Sequence, residues 1–124
     1  MDKQNKRNNK ISGDYGEKIA EKYLLKKGYI ILKKNFRIGK IGEIDIVAKK
    51  EECIIFVEVK YRKNLNYGYP SEALTSRKVT KIRMIASMYL SMNKFDNSEI
   101  RFDVIEILKN KKDTIYINHI ENAF

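Results

Sequence analysis

The tightest constraint in this chain is a pair of closely spaced runs, EIDIVA at 43–48 and CIIFVEVKY at 53–61, in which ionisable residues stand among aliphatic ones. Clean alternation in the first and a mostly apolar run, interrupted by Glu58 and Lys60, in the second predict two strands. Strand periodicity puts Glu43 and Asp45 on one face of the first run and Ile44, Ile46 and Ala48 on the other. In the second run Phe56, Glu58 and Lys60 share a face opposite Ile55, Val57 and Val59. If a hairpin closes over residues 49–52, Ala48 opposes Cys53, Asp45 opposes Phe56 and Glu43 opposes Glu58. Four ionisable groups then crowd one patch, whereas a loop one residue longer or shorter throws the acids onto opposite faces. Opposed like charges, and carboxylates that lose hydration among aliphatic neighbours, destabilise a sheet. A bound cation would resolve the conflict. Two or three carboxylates with a main-chain carbonyl and waters make the oxygen-rich site that Mg²⁺ or Mn²⁺ prefers. Beside it, Lys60 would hold an attacking water and stabilise charge on a phosphate. An ordinary exposed Glu58–Lys60 pair on a half-buried strand accounts for those two residues with no ligand at all.

The flanking sequence predicts an α/β domain. Ile19, Ala20, Tyr23 and Leu24 recur at helical spacing between Asp14 and Lys27, and Gly28 stands where a left-handed cap is expected. Residues 1–12 carry charge and amides with almost no apolar content, which predicts a flexible basic arm ahead of a single domain at 13–124. YIILKKNF at 29–36 reads as a strand, and residues 62–71, with Tyr67, Gly68, Tyr69 and Pro70, as a loop. Val79, Ile82, Ile85, Ala86 and Tyr89 form one stripe of a helix that starts at Ser71 or Ser76 and ends at Met92. Strands at 100–108 and 114–120 close the chain. The predicted order is helix, three strands, helix, two strands.

Charge bears on the partner. With 26 Lys and Arg against 16 Asp and Glu the chain carries a formal +10, and 22 basic against 15 acidic residues, a net +7, remain beyond the first ten. That suits a polyanion such as nucleic acid, although a lysine-rich composition of no functional meaning gives the same balance. Cys53 is the only cysteine, which excludes an internal disulfide and a cysteine-rich zinc site and points to a reducing compartment such as the cytoplasm. No apolar run resembles a signal peptide or reaches membrane-spanning length, so no membrane partner is expected. A homodimer is compatible with the sequence, which names no protein partner.

GEIDIVA from Gly42 and FVEVKYR from Phe56, with Asp45 thirteen positions before Glu58 and Lys60 two after it, resemble the D…ExK core of the PD-(D/E)xK nuclease superfamily. More closely, GDYGEKIAEKYL at 13–24, NFR at 35–37, both strand motifs and RFDV at 101–104 resemble the small bacterial YraN-like family, related in fold to archaeal Holliday-junction resolvases. The resemblance implies a restriction-endonuclease-like αβββαβ core, a mixed sheet flanked by helices. It implies Asp45, Glu58 and the Val59 carbonyl as ligands of Mg²⁺ or Mn²⁺, Lys60 as the catalytic lysine, and hydrolysis of DNA, including branched or damaged forms. Nuclease folds can also lose cleavage and keep nucleic-acid binding, so a non-catalytic binding module is the alternative.

Several other residues carry two readings. Glu17 matches an acid that related nucleases carry on the first helix, yet Asp14 and Glu17 also form an acidic capping box. Glu43 either joins the metal site through water or pairs with a lysine. Arg77, Lys78 and Lys81 oppose the dipole of the second helix, which a phosphate partner explains and a solvated face explains equally. Arg62 and Lys63 adjoin the site and are placed to grip nucleic acid. Asp103 calls for a structural partner such as an arginine, lone His119 is read as structural, and Cys53 as a small core residue.

Overall fold

The two acid-bearing runs become adjacent strands of one five-stranded sheet. The computed structural model describes residues 3–63, 74–95 and 98–124, with side chains from Gly13 onward. Its elements are α1 (Lys3–Lys26), β1 (Ile30–Ile38), β2 (Gly42–Lys50), β3 (Cys53–Arg62), α2 (Ser76–Met92), β4 (Glu99–Lys109) and β5 (Ile115–Ile120). Strand order is β1-β2-β3-β4-β5, antiparallel throughout except for the parallel β3–β4 pair, which α2 connects. This is the expected mixed α/β architecture, a sheet between two helices.

Alternation along β3 builds both cores. Ile55 and Val57 pack with Ala20 and Leu24 of α1, while Ile54 and Phe56 pack with Ile82, Ile85 and Tyr89 of α2. Both helical stripes are therefore core faces. Gly28 takes the left-handed cap at φ 90°, and Tyr29 N–H closes the turn on the Leu24 carbonyl at 2.9 Å. Thr75 caps α2, its hydroxyl oxygen accepting from Lys78 N–H at 3.2 Å. Helix α2 thus begins at Ser76, and the alternative start at Ser71 lies outside the described residues, as do Tyr67 and Tyr69 of the expected loop.

Three expectations are corrected. The first helix starts at Lys3 instead of Asp14, so residues 3–12, read as a flexible arm, are helical. Lys, Gln and Arg are good helix formers, and no Pro or Gly interrupts the run before Gly13. Secondly, the β2–β3 hairpin turns on Glu51 and Glu52 alone, with Lys50 opposite Cys53 and Val47 opposite Phe56. Glu51 adopts φ 54° in a turn where Asn or Gly is the usual signal, which hid the short loop. The error is two residues, so face parity survives while Asp45 slides beyond Phe56. Thirdly, Ile44 does not share a face with Ile46 and Ala48. It packs on the α2 side with Val47, because alternation slips at Asp45.

Candidate metal and nucleic-acid site

The slip at Asp45 has a local cause. The β2–β3 ladder ends at Ile46 and Val57, and beyond it the Asp45 carboxylate stands in for a backbone carbonyl, Oδ2 accepting Val59 N–H at 2.8 Å. Main-chain N–H and C=O of one residue leave a strand on the same edge, so the Val59 carbonyl faces the same gap. Here the strands part and a cleft of about 410 Å³ opens, lined by Glu17, Glu43, Asp45, Glu58, Val59 and Lys60 with Gly13, Tyr61 and Lys78.

Helix α1 delivers Glu17 because it lies close on β3. A Cβ at Gly16 would stand 2.7 Å from the Tyr61 Cβ, so only glycine permits this approach. Since α1 begins eleven residues before Asp14, that residue is no N-cap and Glu17 turns toward the sheet. One carboxylate oxygen from each of Glu17, Glu43 and Asp45 lies within 4.8 Å of the others. Asn35, at φ 54° in β1, brings its amide nitrogen, oriented to donate, to 2.7 Å from Glu43 Oε1 and 3.0 Å from Glu17 Oε2. Arg37 adds a looser contact to Glu43 at 3.8 Å. Sequence reasoning assigned no role to Asn35, Arg37 or Gly16. The signal for the first was an Asn in the middle of a strand, where its β propensity is poor.

Glu58 is only 4% exposed. Its Oε1 has no hydrogen-bond partner among the described residues, and its Oε2 lies 3.9 Å from Lys78 Nζ. Burial, then the Asp45 charge, pushes its pKa up to about 8. Burial with Asp45 and Glu43 raises Glu17 to about 7. Asp45 and Glu43 are also raised, chiefly by burial. Lys60 is lowered to about 8 by burial and by Lys78 beside it. Four carboxylates meet two lysines in the cleft, and burial disfavours the charged form of each acid, a cost that a bound multivalent cation would offset.

A neighbouring groove of about 290 Å³ shares Glu43 and Lys78 with the cleft and is lined by Arg77 and Lys81. The first turn of α2 has no acidic residue to match its dipole. Arg62 and Lys63 stand exposed at the end of β3, outside the residues lining the cleft. Asp103 and His119 are also elsewhere. Arg101 grips both Asp103 oxygens at 2.9 and 2.8 Å and donates to Tyr29 at 2.8 Å, while His119 Nε2 lies 2.7 Å from Asp103 and its Nδ1 3.1 Å from the Tyr23 hydroxyl. Burial alone would raise the Asp103 carboxyl, but His119 and Arg101 hold it below its usual range. That knot ties α1, β4 and β5 together. Cys53 is a half-buried free thiol. Among the described residues no helix is long and apolar enough to cross a membrane.

A model of the uncharacterised protein family UPF0102 matches residues 16–107, which include every residue lining the cleft except Gly13. A UPF0102 protein of Clostridioides difficile is 56% identical over 117 residues, 94% of this chain and 99% of the relative. One from Caldanaerobacter subterraneus subsp. tengcongensis is 50% identical over 119 residues, 94% and 97% of the two chains. One from Acetivibrio thermocellus is 44% identical over 124 residues, 97% and 95% of the two.

Proposed function

The chain belongs to the uncharacterised protein family UPF0102, a name without an activity in it, and from the geometry of its cleft we propose that it is a metal-dependent nuclease of the PD-(D/E)xK type. Its reaction is hydrolysis of DNA phosphodiester bonds. The observation that carries this reading is one cleft in which the Glu17, Glu43 and Asp45 oxygens lie within 4.8 Å of one another, beside buried Glu58 and Lys60. A purely structural site would have no use for buried acids that disfavour their own ionisation, and a pure phosphate binder none for acids that repel its ligand.

The donor set fits a hard divalent cation. All donors are oxygens, the Glu58 Oε1 atom lacks a partner among the described residues, and burial raises Glu17 and Glu58, disfavouring the charged forms that a cation would favour. Asp45, Glu58 and the Val59 carbonyl would hold Mg²⁺ or Mn²⁺ as the resemblance implies, and Glu17 and Glu43, whose oxygens and not that of Glu58 cluster with Asp45, would join directly or through water. The bound ion supplies Lewis-acid polarisation of the phosphodiester and a more acidic water. Asp45 keeps its place through the Val59 N–H bond, and Asn35 fixes Glu17 and Glu43. Lys60, lowered to about 8, can orient the attacking water and offer its cation to the charge that builds on the phosphate. Arg77, Lys78 and Lys81 flank the path along which a phosphate backbone would enter. A cytoplasmic setting, where DNA and the Cys53 thiol coexist, accords with this role.

The test is incubation of the purified protein with linear duplex, single-stranded, flapped and four-way DNA in Mg²⁺, Mn²⁺ or chelator. Metal-dependent products that vanish in Lys60→Met support the nuclease. Salt-sensitive DNA binding with no product under any condition would replace it by a non-catalytic binding module, and absence of both removes the nucleic-acid reading.

A further inference from the structure

Lys78 occupies an unusual position between the two cavities. It lines both the acidic cleft and the basic groove, and its Nζ is 3.9 Å from Oε2 of Glu58. The two side chains differ sharply in environment, Lys78 being 43% exposed and Glu58 5%. The separation exceeds the ~2.7–2.9 Å of a charge-assisted hydrogen bond. The cation therefore hovers over a buried acid without locking to it, while the other oxygen of that acid has no partner among the described residues. A lysine at the solvent side of such an acid neutralises part of its charge and can leave at little expense, because its exposed head regains hydration. A divalent ion bound to a carboxylate sits at about 2.0–2.1 Å for Mg²⁺ and carries twice the charge, so it both outcompetes the ammonium and repels it. The side chain also borders the groove that Arg77 and Lys81 line, where a phosphate backbone would supply the negative charge that three clustered cations need.

We infer that Lys78 is an exchangeable counter-ion, lying over Glu58 in the metal-free protein, pairing with it whenever that acid is ionised, and moving to the basic groove to grip the substrate's phosphate backbone once a divalent cation takes Glu58. The inference rests on the metal-nuclease reading and adds to it a coupling. Metal binding frees a cation for DNA, and by reciprocity DNA favours metal binding. A fixed ion pair that only stabilises the fold would produce neither effect.

The experiment compares wild type, Lys78→Met and Lys81→Met. Methionine keeps most of the stem, and Lys81 serves as the control for general loss of positive charge because it borders the groove but not the cleft. Calorimetric Mn²⁺ titration without nucleic acid should show about fivefold tighter binding for Lys78→Met, the worth of a loose ion pair that no longer has to be broken, and under twofold for Lys81→Met. Duplex DNA affinity is then measured in Ca²⁺ and in chelator. The gain on adding Ca²⁺ should be smaller in Lys78→Met than in wild type. Unchanged or weaker Mn²⁺ binding by Lys78→Met, an equal gain in Lys81→Met, or a full Ca²⁺ gain for DNA in Lys78→Met overturns the exchange while wild-type Mn²⁺ binding leaves the metal site standing. No Mn²⁺ binding by any of the three removes the metal site, and the exchange with it.

Discussion

Replacing Glu58 by Gln should stabilise the protein when divalent metal is absent, and do so only at neutral and alkaline pH. In the unfolded chain Glu58 ionises near its ordinary value of 4.5, whereas in the fold burial and then Asp45 hold its proton to about 8. Between those two values the unfolded state binds fewer protons than the folded state, so stability falls as pH rises through the window and levels off above it. About 3.5 pKa units at 1.36 kcal/mol each set a ceiling of about 5 kcal/mol. Asp45 and Glu17 share the same cluster and take part of that repulsion, and the Gln amide must itself find partners, so roughly 2 kcal/mol is the expected net gain. The assay is urea unfolding of both proteins in chelator at pH 5, 6.5 and 8. Stabilities should coincide near pH 5 and diverge in favour of Glu58→Gln by pH 8. Added Mn²⁺ should reverse the order, because wild type gains a ligand for every charge and the amide does not. A Glu58→Gln protein less stable than wild type at pH 8 in chelator would refute the reasoning, since Lys78 would then more than offset burial and Glu58 would be a structural ion-pair member.

Three further substitutions separate the remaining roles. Asp45→Asn retains an acceptor for Val59 N–H but loses a ligand charge, so Mn²⁺ affinity should drop at least about tenfold with the fold little changed; Asp45→Ala should also lose ~1–3 kcal/mol in urea unfolding, and equal stability of the two variants would contradict the hydrogen bond's role. Lys60→Met should leave calorimetric Mn²⁺ binding intact and slow single-turnover cleavage by about 10²- to 10³-fold, so a parallel loss of metal binding would argue against a separate chemical role. Gly16→Ala forces a Cβ to within 2.7 Å of Tyr61 and should lower stability by ~1–3 kcal/mol and weaken Mn²⁺ binding as Glu17 shifts, whereas Gly13→Ala, with nothing within 4 Å, should be neutral or mildly stabilising in thermal melts.

The parts of this site that the sequence exposes are those governed by a local period. Along β3, two-residue alternation alone sorts Ile54 and Phe56 from Ile55 and Val57 and carries Glu58 and Lys60 out on the α2 side, and the stripe of α2 is equally local. Register is not local, and the short turn at Glu51 and Glu52 gave no Asn or Gly to betray its length. An even error preserves parity, so the acids still met, but at the level of Glu58 and Val59 instead of Phe56. The break of alternation at Asp45 was invisible for a different reason. It depends on a carboxylate leaving its face to accept Val59 N–H fourteen residues away, a bond that exists only once the strands have paired and parted. Glu17, Asn35 and Gly16 belong to the same class. An acid one helix turn from its neighbours says nothing of the sheet until a glycine lets the helix lie so close that a Cβ there would stand 2.7 Å from the Tyr61 Cβ, and an asparagine reads as a poor strand residue until a left-handed backbone brings its amide between two carboxylates. Where residues serve a ligand, local preference and final environment conflict, and the conflict becomes legible only in three dimensions. Glu58 is the plainest case, an acid that periodicity puts on the face of Lys60 and whose burial only the packed sheet and helices reveal.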